Sequence, residues 1–442
     1  EADAGALDVL GDLERPVAIS AESPDRLVAS KRLEFLRIAA RDLTRVDALE
    51  QTGAALAALG RDVLAASCVL AGAEQLAVIG MGKLGGDELN YASDIDVMFV
   101  GEGDHATMVR AARNVLEHAR RCFRVDANLR PEGRDGPLAR SVGSYEAYWD
   151  KWAQPWEFQA LLKARPVAGD ATLGEAYHAA ATERLWSRHF SADDLRSVRA
   201  MKERAESEVA RKGLTEREVK RGRGGIRDIE FSVQLLQLVH GRLDPELRSP
   251  TTLVALAEMA AAGYVDPDDA GGFADAYRFL REVEHRLQLV DEQQVHAVPT
   301  GEVERSHLAR NLGYRSTPDE GDVAQLDRDL AAHQATARAI HERVYFRPLL
   351  EAFAQADGAL TDEAVEARLA AFGFTDAART RQAVTELTRG LTRSSRLMQQ
   401  VLPLLLDWLS ASPDPDLGLL GLRNLASDSA RTGRLAATFR ES

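Results

Sequence analysis

The sequence has few cysteines, no long apolar segment and no excess of positive charge. Only two cysteines, Cys68 and Cys122, occur among its 442 residues. Both lie in apolar, helix-like contexts, which is typical of reduced core thiols in a cytoplasmic protein rather than of a disulfide scaffold. We see no signal peptide and no apolar run of 18 or more residues, so the sequence predicts a soluble protein that does not cross a membrane.

The net charge of −14 disfavours a general affinity for nucleic acid or for anionic membranes. Basic residues nevertheless cluster in two places, and most such clusters are only solvated helix faces. The first group is Arg120, Arg121, Arg124, Arg130 and Arg134, and the second is Lys220, Arg221, Arg223 and Arg227. Because these groups contain glycines and interrupt an acidic protein, they favour binding of an anionic ligand.

The segment from Gly80 to Phe99, GMGKLGGDELNYASDIDVMF, is the most informative part of the chain. It places a glycine-lysine loop before Asp94 and Asp96, whose spacing on a strand directs both carboxylates to one face. Two such carboxylates repel each other unless a divalent cation lies between them, and Mg²⁺ usually shares oxygen ligands with substrate phosphates. Glycines allow backbone N–H groups to approach a phosphate closely. The segment therefore predicts metal-dependent phosphoryl or nucleotidyl transfer.

Three other interpretations of this segment are weaker. It satisfies the dinucleotide-binding pattern G-x-G-x-x-G, but the expected helix does not follow and the acidic pair comes too early. It is not a P-loop, because Leu84 follows Lys83 where a Ser or Thr hydroxyl should bind Mg²⁺. An edge strand with two solvated aspartates remains a structural alternative.

Several further residues are candidates for the same site, each with an ordinary structural alternative. Asp126 lies on a predicted strand, Phe123–Leu129, and is the candidate third metal ligand if that strand pairs beside residues 95–100. Ser93 either bonds a phosphate oxygen or caps a turn. The remaining candidates are cations that would grip phosphate or merely be solvated: Arg130, Arg134, Lys163 and Arg165.

A second motif, KRGRGGIRDIEF, covers Lys220–Phe231. Its glycines precede a predicted helix whose exposed N-terminal N–H groups, together with Arg223 and Arg227, form a plausible phosphate site. Asp228 and Glu230 are either first-turn acids that complement the helix dipole or groups that contact metal-bound water or substrate. The aromatic stripe at residues 145–158 favours a core or a bundle interface over a base-stacking surface.

The pattern of the chain predicts an α+β, predominantly helical protein in four parts. These are an N-terminal helical segment (1–75), a catalytic domain with a small mixed sheet (76–205), a helical domain (206–350) and a C-terminal helical bundle (351–442). Strands are expected at 76–79, 95–100 and 123–129. Helices are expected at Lys31–Leu43, Thr107–Arg121 and Ile226–Val239, within 55–71 and 144–160, and near 251–262, 268–292, 323–345, 361–371, 377–391 and 394–409. The chain begins at Glu1 and ends in helix-like sequence, so we expect a piece of a longer protein.

Four ordered motifs closely resemble one family. GMGKLGGDELNYASDIDV, FRVDANLRPEGRDGPL, WEFQALLKARPVAGD and GRGGIRDIEF are similar to motifs of the bifunctional glutamine synthetase adenylyltransferase/adenylyl-removing enzymes. The resemblance runs from about residue 30 to the end and implies the DNA polymerase β-like nucleotidyltransferase fold. The forms SDID and GIRDIEF resemble the N-terminal, adenylyl-removing half. Residues 295–345 resemble the helical module shared with uridylyl-transferring nitrogen sensors.

The resemblance implies removal of AMP from adenylyl-O-tyrosine on glutamine synthetase, with inorganic phosphate as the attacking group and ADP as the product. It implies that Asp94 and Asp96 bridge Mg²⁺ or Mn²⁺, with Asp126 completing one site. It implies that the AMP phosphate is held by Gly82, Lys83, Gly85, Gly86 and Ser93, and that incoming phosphate is held by Arg130, Lys163, Arg165 or Arg223. Implied partners are glutamine synthetase, a PII-type signal protein and the second nucleotidyltransferase half of the same polypeptide.

Two other functions stay open on the sequence. The first is transfer of AMP from ATP to the tyrosine, as in the other half of these enzymes. The second is a catalytically silent module that binds nucleotide or a PII protein, which the intact aspartate pair disfavours.

Overall fold

The structure is a computed structural model. It describes residues 2–354 except positions 74, 189, 191, 216 and 291, and also residues 374–388, 409 and 414–427. The described part is predominantly helical and contains one small mixed sheet, which confirms the predicted fold class. The predicted helices at 361–371 and, almost entirely, 394–409 lie outside the described residues. The boundaries of the four predicted parts stay a prediction.

Three helices precede the sheet. They are α1 (Ala2–Gly11), α2 (Pro24–Leu43) and α3 (Leu49–Ala71). Ser23 caps α2 by accepting a hydrogen bond from Arg26 N, so this helix begins earlier than its apolar stripe predicts. Gly72 ends α3 in the left-handed conformation at φ 60°, where glycine is favoured.

The sheet is mixed because its strands do not all run in one direction. β1 (Leu76–Gly80) pairs antiparallel with both β2 (Ile95–Gly101) and β5 (Arg165–Gly169). β2 pairs in parallel with two short strands, β3 (Val125–Asp126) and β4 (Ala139–Arg140). The central strands β1 and β2 are apolar and almost entirely buried.

Short helices and turns surround the sheet. α4 (Gly82–Gly85) follows β1 directly, and α5 (His105–Ala119) follows β2. The aromatic segment forms α6 (Val142–Lys151) and α7 (Pro155–Leu161) rather than one continuous helix, since Pro155 begins a new helix. α8 (Ala171–Ser187) packs on the sheet through Leu173 and Tyr177.

A helical bundle follows the sheet. It contains α9 (Ala192–Arg211), α10 (Ile226–His240), α11 (Thr252–Ala261), α12 (Pro267–Leu289), α13 (Glu302–Asn311) and α14 (Asp322–Ala354). Two later helices are α15 (Ala377–Thr388) and α16 (Pro415–Ser427). Apolar residues of α10 to α14 share one core, in which Phe273, Tyr277 and Leu280 are almost fully buried.

One described helix, α3, is long and apolar enough to cross a membrane by length and composition alone, although Arg61 and Asp62 interrupt its apolar sequence. Half of its most apolar window is buried inside the protein. Leu56, Val63 and Leu64 of α3 pack with apolar residues of α2, α5 and the sheet. In this fold α3 is therefore a core helix of the N-terminal part.

The strands differ from prediction in two respects. The strand expected at Phe123–Leu129 is reduced to Val125–Asp126, because Asn128 N donates to Asp126 Oδ1 and turns the chain. β4 and β5 were not among our expected strands. Their pairing partners lie 40 and more residues away in sequence, so no local pattern reveals them.

Candidate active site

The loop between β1 and β2 brings the glycine-lysine segment against the aspartate pair. Met81 N donates to Asp96 O at 2.8 Å, which fixes the start of α4 beside β2. Gly82 has φ +53°, and a Cβ at this position would lie only 3.2 Å from Asp96 Oδ2. A glycine here therefore allows the backbone to turn and to approach the carboxylate closely.

Asp94, Asp96 and Asp126 are neighbours at the edge of the sheet. Asp96 is opposite Asp126 in the parallel pairing of β2 and β3, as predicted if the strands pair. Burial raises the pKa of Asp96 to about 7, and the negative charges of Asp126 and Asp94 add to the effect. Asp94 forms an ion pair with Arg124, whose Nε lies 2.9 Å from Asp94 Oδ1. The three carboxylates thus form a locally negative site, and Arg124 neutralises one of them.

The donor set at this site fits a hard divalent cation that is shared with a ligand. Asp94 and Asp96 face the same cavity. Among the described residues, however, no group of three or more His, Cys, Asp or Glu side chains is arranged to hold a metal ion. A magnesium ion there would need water and phosphate oxygens to complete its shell, which is its usual behaviour in phosphoryl-transfer sites. The ligand role of Asp126 stays a prediction.

The cavity beside the aspartates has a volume of about 480 Å³. Its lining comes from the sheet edge, from α4 and from α7, α9 and α10 of the helical part. The residues with charged side chains are Lys83, Asp94, Asp96, Lys163, Lys202, Lys220, Arg227 and Glu230. The site is thus a cleft between the sheet and the bundle, not a surface of the sheet alone.

Lys83 connects the glycine loop to the bundle. Its Nζ lies 3.2 Å from Oε2 of Glu284, a fully buried residue of α12. Burial and the nearby Arg281 guanidinium lower the pKa of Lys83 to about 8, whereas Glu284 opposes the shift. The ammonium is therefore held in place at the cavity wall by a residue about 200 positions further along the chain.

The glycines at 85 and 86 have packing reasons for their identity. A Cβ on Gly85 would lie 1.7 Å from Lys163 O, and one on Gly86 would lie 2.9 Å from Pro250 O. Neither glycine lines the cavity, whereas Gly82, Lys83 and Ser93 do. Phosphate binding by Gly82, Lys83 and Ser93 stays a prediction, and it agrees with their position in the cavity wall. Gly85 and Gly86 are needed for close packing of the backbone.

Three of the four predicted phosphate ligands do not line the cavity. Arg130 donates to the backbone carbonyls of its own turn, at Ala127, Arg134 and Gly136. Arg165 forms an ion pair with Asp87 at 2.6 Å, and Arg223 is exposed outside the cavity.

Lys163 does line the cavity, but its ammonium already has protein partners. It forms an ion pair with Glu88, and its Nζ lies 3.1 Å from Thr252 Oγ1. Lys163 therefore links the sheet domain to α11.

We expected the N-terminus of α10 to bind phosphate, but its backbone N–H groups already have partners within the protein. The N–H of Ile226 donates to Val219 O, that of Arg227 to Lys220 O, and that of Gly224 to Asp228 Oδ2. Asp228 also forms an ion pair with Lys202 at 2.7 Å. The backbone donors are therefore satisfied within the protein, and Asp228 is a capping and pairing residue.

Lys220, Arg227 and Glu230 from the same motif do reach the cavity. Burial alone would raise the pKa of Glu230, but the charges of Lys83 and Lys163 outweigh it and lower the pKa. Arg227 and Glu230 are three residues apart, which places them on one helix face. Helical spacing within GGIRDIEF could have shown that Arg227, rather than Arg223, shares a face with Glu230.

Two family models match the chain. The glutamate-ammonia ligase adenylyltransferase model matches residues 20–121 and 117–180, and the GlnD PII-uridylyltransferase model matches residues 198–345. The first covers the sheet and the aspartate pair, and the second covers the bundle from α9 to α14.

Curated relatives match almost the whole chain. Bifunctional glutamine synthetase adenylyltransferase/adenylyl-removing enzymes of Streptomyces avermitilis and Streptomyces coelicolor are 42% and 43% identical, over 95% and 94% of the chain. The chain belongs to this nucleotidyltransferase family. The corresponding enzyme of Mycobacterium tuberculosis is 40% identical over 92% of the chain. The chain spans less than half of these relatives, 44%, 44% and 41% of their respective lengths.

Proposed function

We propose that this part of the enzyme removes AMP from a tyrosine of glutamine synthetase by phosphorolysis. The observation that carries the proposal is that Asp94 and Asp96 face one cavity together with Lys83, Lys220 and Arg227. Carboxylates that bind a divalent cation, beside cations that bind phosphate, are the elements that phosphoryl transfer needs. The relatives are named for adenylyl transfer to, and adenylyl removal from, glutamine synthetase, so adenylylated glutamine synthetase is the substrate to test.

The reaction requires little acid or base catalysis. A phosphate oxygen forms a bond to the α-phosphorus as the bond to the tyrosine oxygen breaks, and the proton of hydrogen phosphate ends on the phenol. The products are ADP and unmodified tyrosine. Because the phenol has a pKa of about 10, it is a moderate leaving group. A divalent cation held by Asp94 and Asp96 would neutralise charge on the transferred phosphoryl group.

The chain's own residues then have defined roles. Lys220 and Arg227 bind incoming phosphate, since both line the cavity and Arg227 can bind it with two N–H groups. Lys83, fixed by Glu284, contacts the adenylyl phosphate. Arg124, whose Nε lies 2.9 Å from Asp94 Oδ1, would orient this carboxylate toward a bound cation.

The forms SDID and GIRDIEF favour removal over transfer, and the decisive test compares the two reactions directly. The chain is incubated with adenylylated glutamine synthetase, Mg²⁺ and phosphate, and ADP is measured. We expect ADP release that depends on phosphate and is abolished by Asp94→Asn. AMP incorporation from ATP into unmodified glutamine synthetase would instead identify the transferring half.

A silent regulatory module is the remaining alternative. The catalytic proposal is wrong if the Asp94→Asn variant turns over as fast as the parent chain. It is also wrong if neither reaction occurs with Mg²⁺ or Mn²⁺. We also propose a PII-type signal protein and the second nucleotidyltransferase half as partners, and a cytoplasmic location. The match of residues 198–345 to a PII-uridylyltransferase model supports the first of these.

A further inference from the structure

Among the described residues, five cationic side chains line the cavity, and two of them have no carboxylate partner. Three form ion pairs with buried carboxylates, namely Lys83, Lys163 and Lys202. Lys220 and Arg227 line the cavity without an ion pair to any described residue. The N–H of Arg227 donates to Lys220 O at 2.9 Å, which holds the two residues side by side. An anionic ligand is therefore expected at the start of α10.

Glu230 places a negative charge beside these two cations. It lies one turn beyond Arg227 on the same face of α10, about 4.5 Å along the axis, and both residues line the cavity. Within the described part of the chain, its one hydrogen bond comes from the hydroxyl of Tyr277, at a long 3.5 Å to Oε1. Its Oε2 has no donor there and is not shielded from solvent, so this oxygen is left for a ligand.

The Glu230 carboxylate stays charged in these surroundings. Burial alone would raise its pKa, but the charges of Lys83, Lys163 and other nearby cations, Lys220 included, lower the pKa below its ordinary value. The charge of Lys220 also favours the ionised form of Asp96, which burial and the neighbouring aspartates oppose. The Lys220 ammonium therefore lies within electrostatic range of both α10 and the aspartate pair, and Glu230 can only accept hydrogen bonds.

An ionised carboxylate beside an anion site distinguishes two kinds of oxyanion. It repels an oxyanion that has no proton to donate, and it accepts a short, charge-assisted hydrogen bond from one that has. Sulfate has lost both protons at neutral pH, whereas inorganic phosphate and arsenate each keep at least one. At pH 8, sulfate and most of the phosphate carry two negative charges and share a tetrahedral shape. The retained proton is then the main difference between them.

We propose that Glu230 makes this site selective for oxyanions that retain a proton, by accepting a hydrogen bond from the hydroxyl of the hydrogen phosphate that Lys220 and Arg227 bind. This role rests on the proposed function, which assigns incoming phosphate to the same two cations. It adds that arsenate is accepted and sulfate is excluded. Glu230 takes no proton from the phosphate, so that proton can still end on the phenol.

The test measures binding of phosphate and sulfate to the whole chain at pH 8 with Mg²⁺, by equilibrium dialysis of the radiolabelled anions. We expect the parent chain to bind phosphate at least about tenfold more tightly than sulfate, as one charge-assisted hydrogen bond would give. Unlabelled arsenate should displace the phosphate. Glu230→Gln keeps the side-chain length and supplies an N–H donor, so it should bind sulfate more tightly and bring the ratio close to one.

A third anion tests the same hydrogen bond without any variant. Monofluorophosphate keeps the charge and the size of hydrogen phosphate at pH 8, but fluorine replaces the hydroxyl group. We expect it to displace phosphate from the parent chain as poorly as sulfate does. This comparison decides the matter even if Glu230→Gln does not fold.

Two further variants separate selectivity from attraction. Glu246→Gln is the matched control, because Glu246 is exposed and does not line the cavity, and it should keep the parent ratio. Arg227→Met should weaken the binding of both anions and keep the preference. The inference is overturned if the parent chain binds phosphate no better than sulfate or monofluorophosphate, or binds neither phosphate nor sulfate. A folded Glu230→Gln variant that keeps the preference would also overturn it.

The two proposals fail in different ways. Selective phosphate binding without ADP release from adenylylated glutamine synthetase rejects the proposed reaction but supports the role of Glu230. Phosphate-dependent ADP release by a chain that binds sulfate equally well does the reverse.

Discussion

At the scale of single residues, Asp96 is a carboxylate in surroundings that disfavour its charged form. Burial is the larger cause of its raised pKa of about 7, and the charges of Asp126 and Asp94 follow. The ordinary value is 3.8, so the folded state binds this proton more tightly than the unfolded chain does. The resulting stabilisation is present below about pH 4 and is lost as the pH rises to about 7. Without a cation, the charged form of Asp96 destabilises the fold.

This reasoning predicts how Asp96→Asn changes stability with pH. In metal-free buffer the variant should melt a few degrees higher than the parent chain at about pH 8, and the difference should shrink towards about pH 5. Asp319→Asn, at an exposed position, is the control and should show no such trend. Mg²⁺ should raise the melting temperature of the parent chain but not that of Asp96→Asn. A variant that is less stable at every pH would show that Asp96 is a structural residue.

At the scale of elements, α4 packs so closely against the end of α7 and the start of β5 that Gly85 has no space for a side chain. The Cβ position of Gly85 overlaps Lys163 O, and that backbone cannot move without shifting β5. Gly85→Ala should therefore displace α4, destabilise the protein by about 1–3 kcal/mol and lower activity. Gly143→Ala in α6 is the control: its Cβ meets no atom within 4 Å, so we expect no loss. Urea unfolding measures both variants, and an unaffected Gly85→Ala would contradict the packing argument.

The elements also show what the sequence can predict. The Asp94–Asp96 pair and α10 depend on neighbours within a few residues, so their local patterns predict them well. Arg165 and Arg223 were assigned to phosphate from their charge, their sequence context and the family resemblance, whereas the structure pairs the first with Asp87 and leaves the second exposed. Such partners are set by the packing of distant segments. The hydrogen bond between Gln159 and Gln234 is of the same kind, since it joins two separate helices.

In the whole molecule, α12 connects the bundle to both earlier parts. Gln288 Oε1 accepts from Asn90 Nδ2 at 2.8 Å and from Ala92 N at 2.9 Å, directly before the aspartate pair. One turn earlier, Glu284 holds Lys83. Arg286 forms two hydrogen bonds, of 2.7 and 2.8 Å, with the carboxylate of Asp42 in α2. A single bundle helix thus positions the loop before the aspartate pair and docks the N-terminal helices.

The Asp42–Arg286 pair should therefore be a main determinant of the stability of this arrangement. Both residues are buried, and Arg286→Met removes the guanidinium that donates two hydrogen bonds to the Asp42 carboxylate, which costs about 3–5 kcal/mol. Arg278→Met on the same helix removes only the exposed pairs with Glu50 and Asp275 and should cost no more than about 1 kcal/mol. Since the loss in Arg286→Met comes from the unpaired charge, adding Asp42→Asn should recover part of it. Urea unfolding of the four chains measures these differences, and equal effects of the two arginine variants would show that α12 docks mainly by apolar packing.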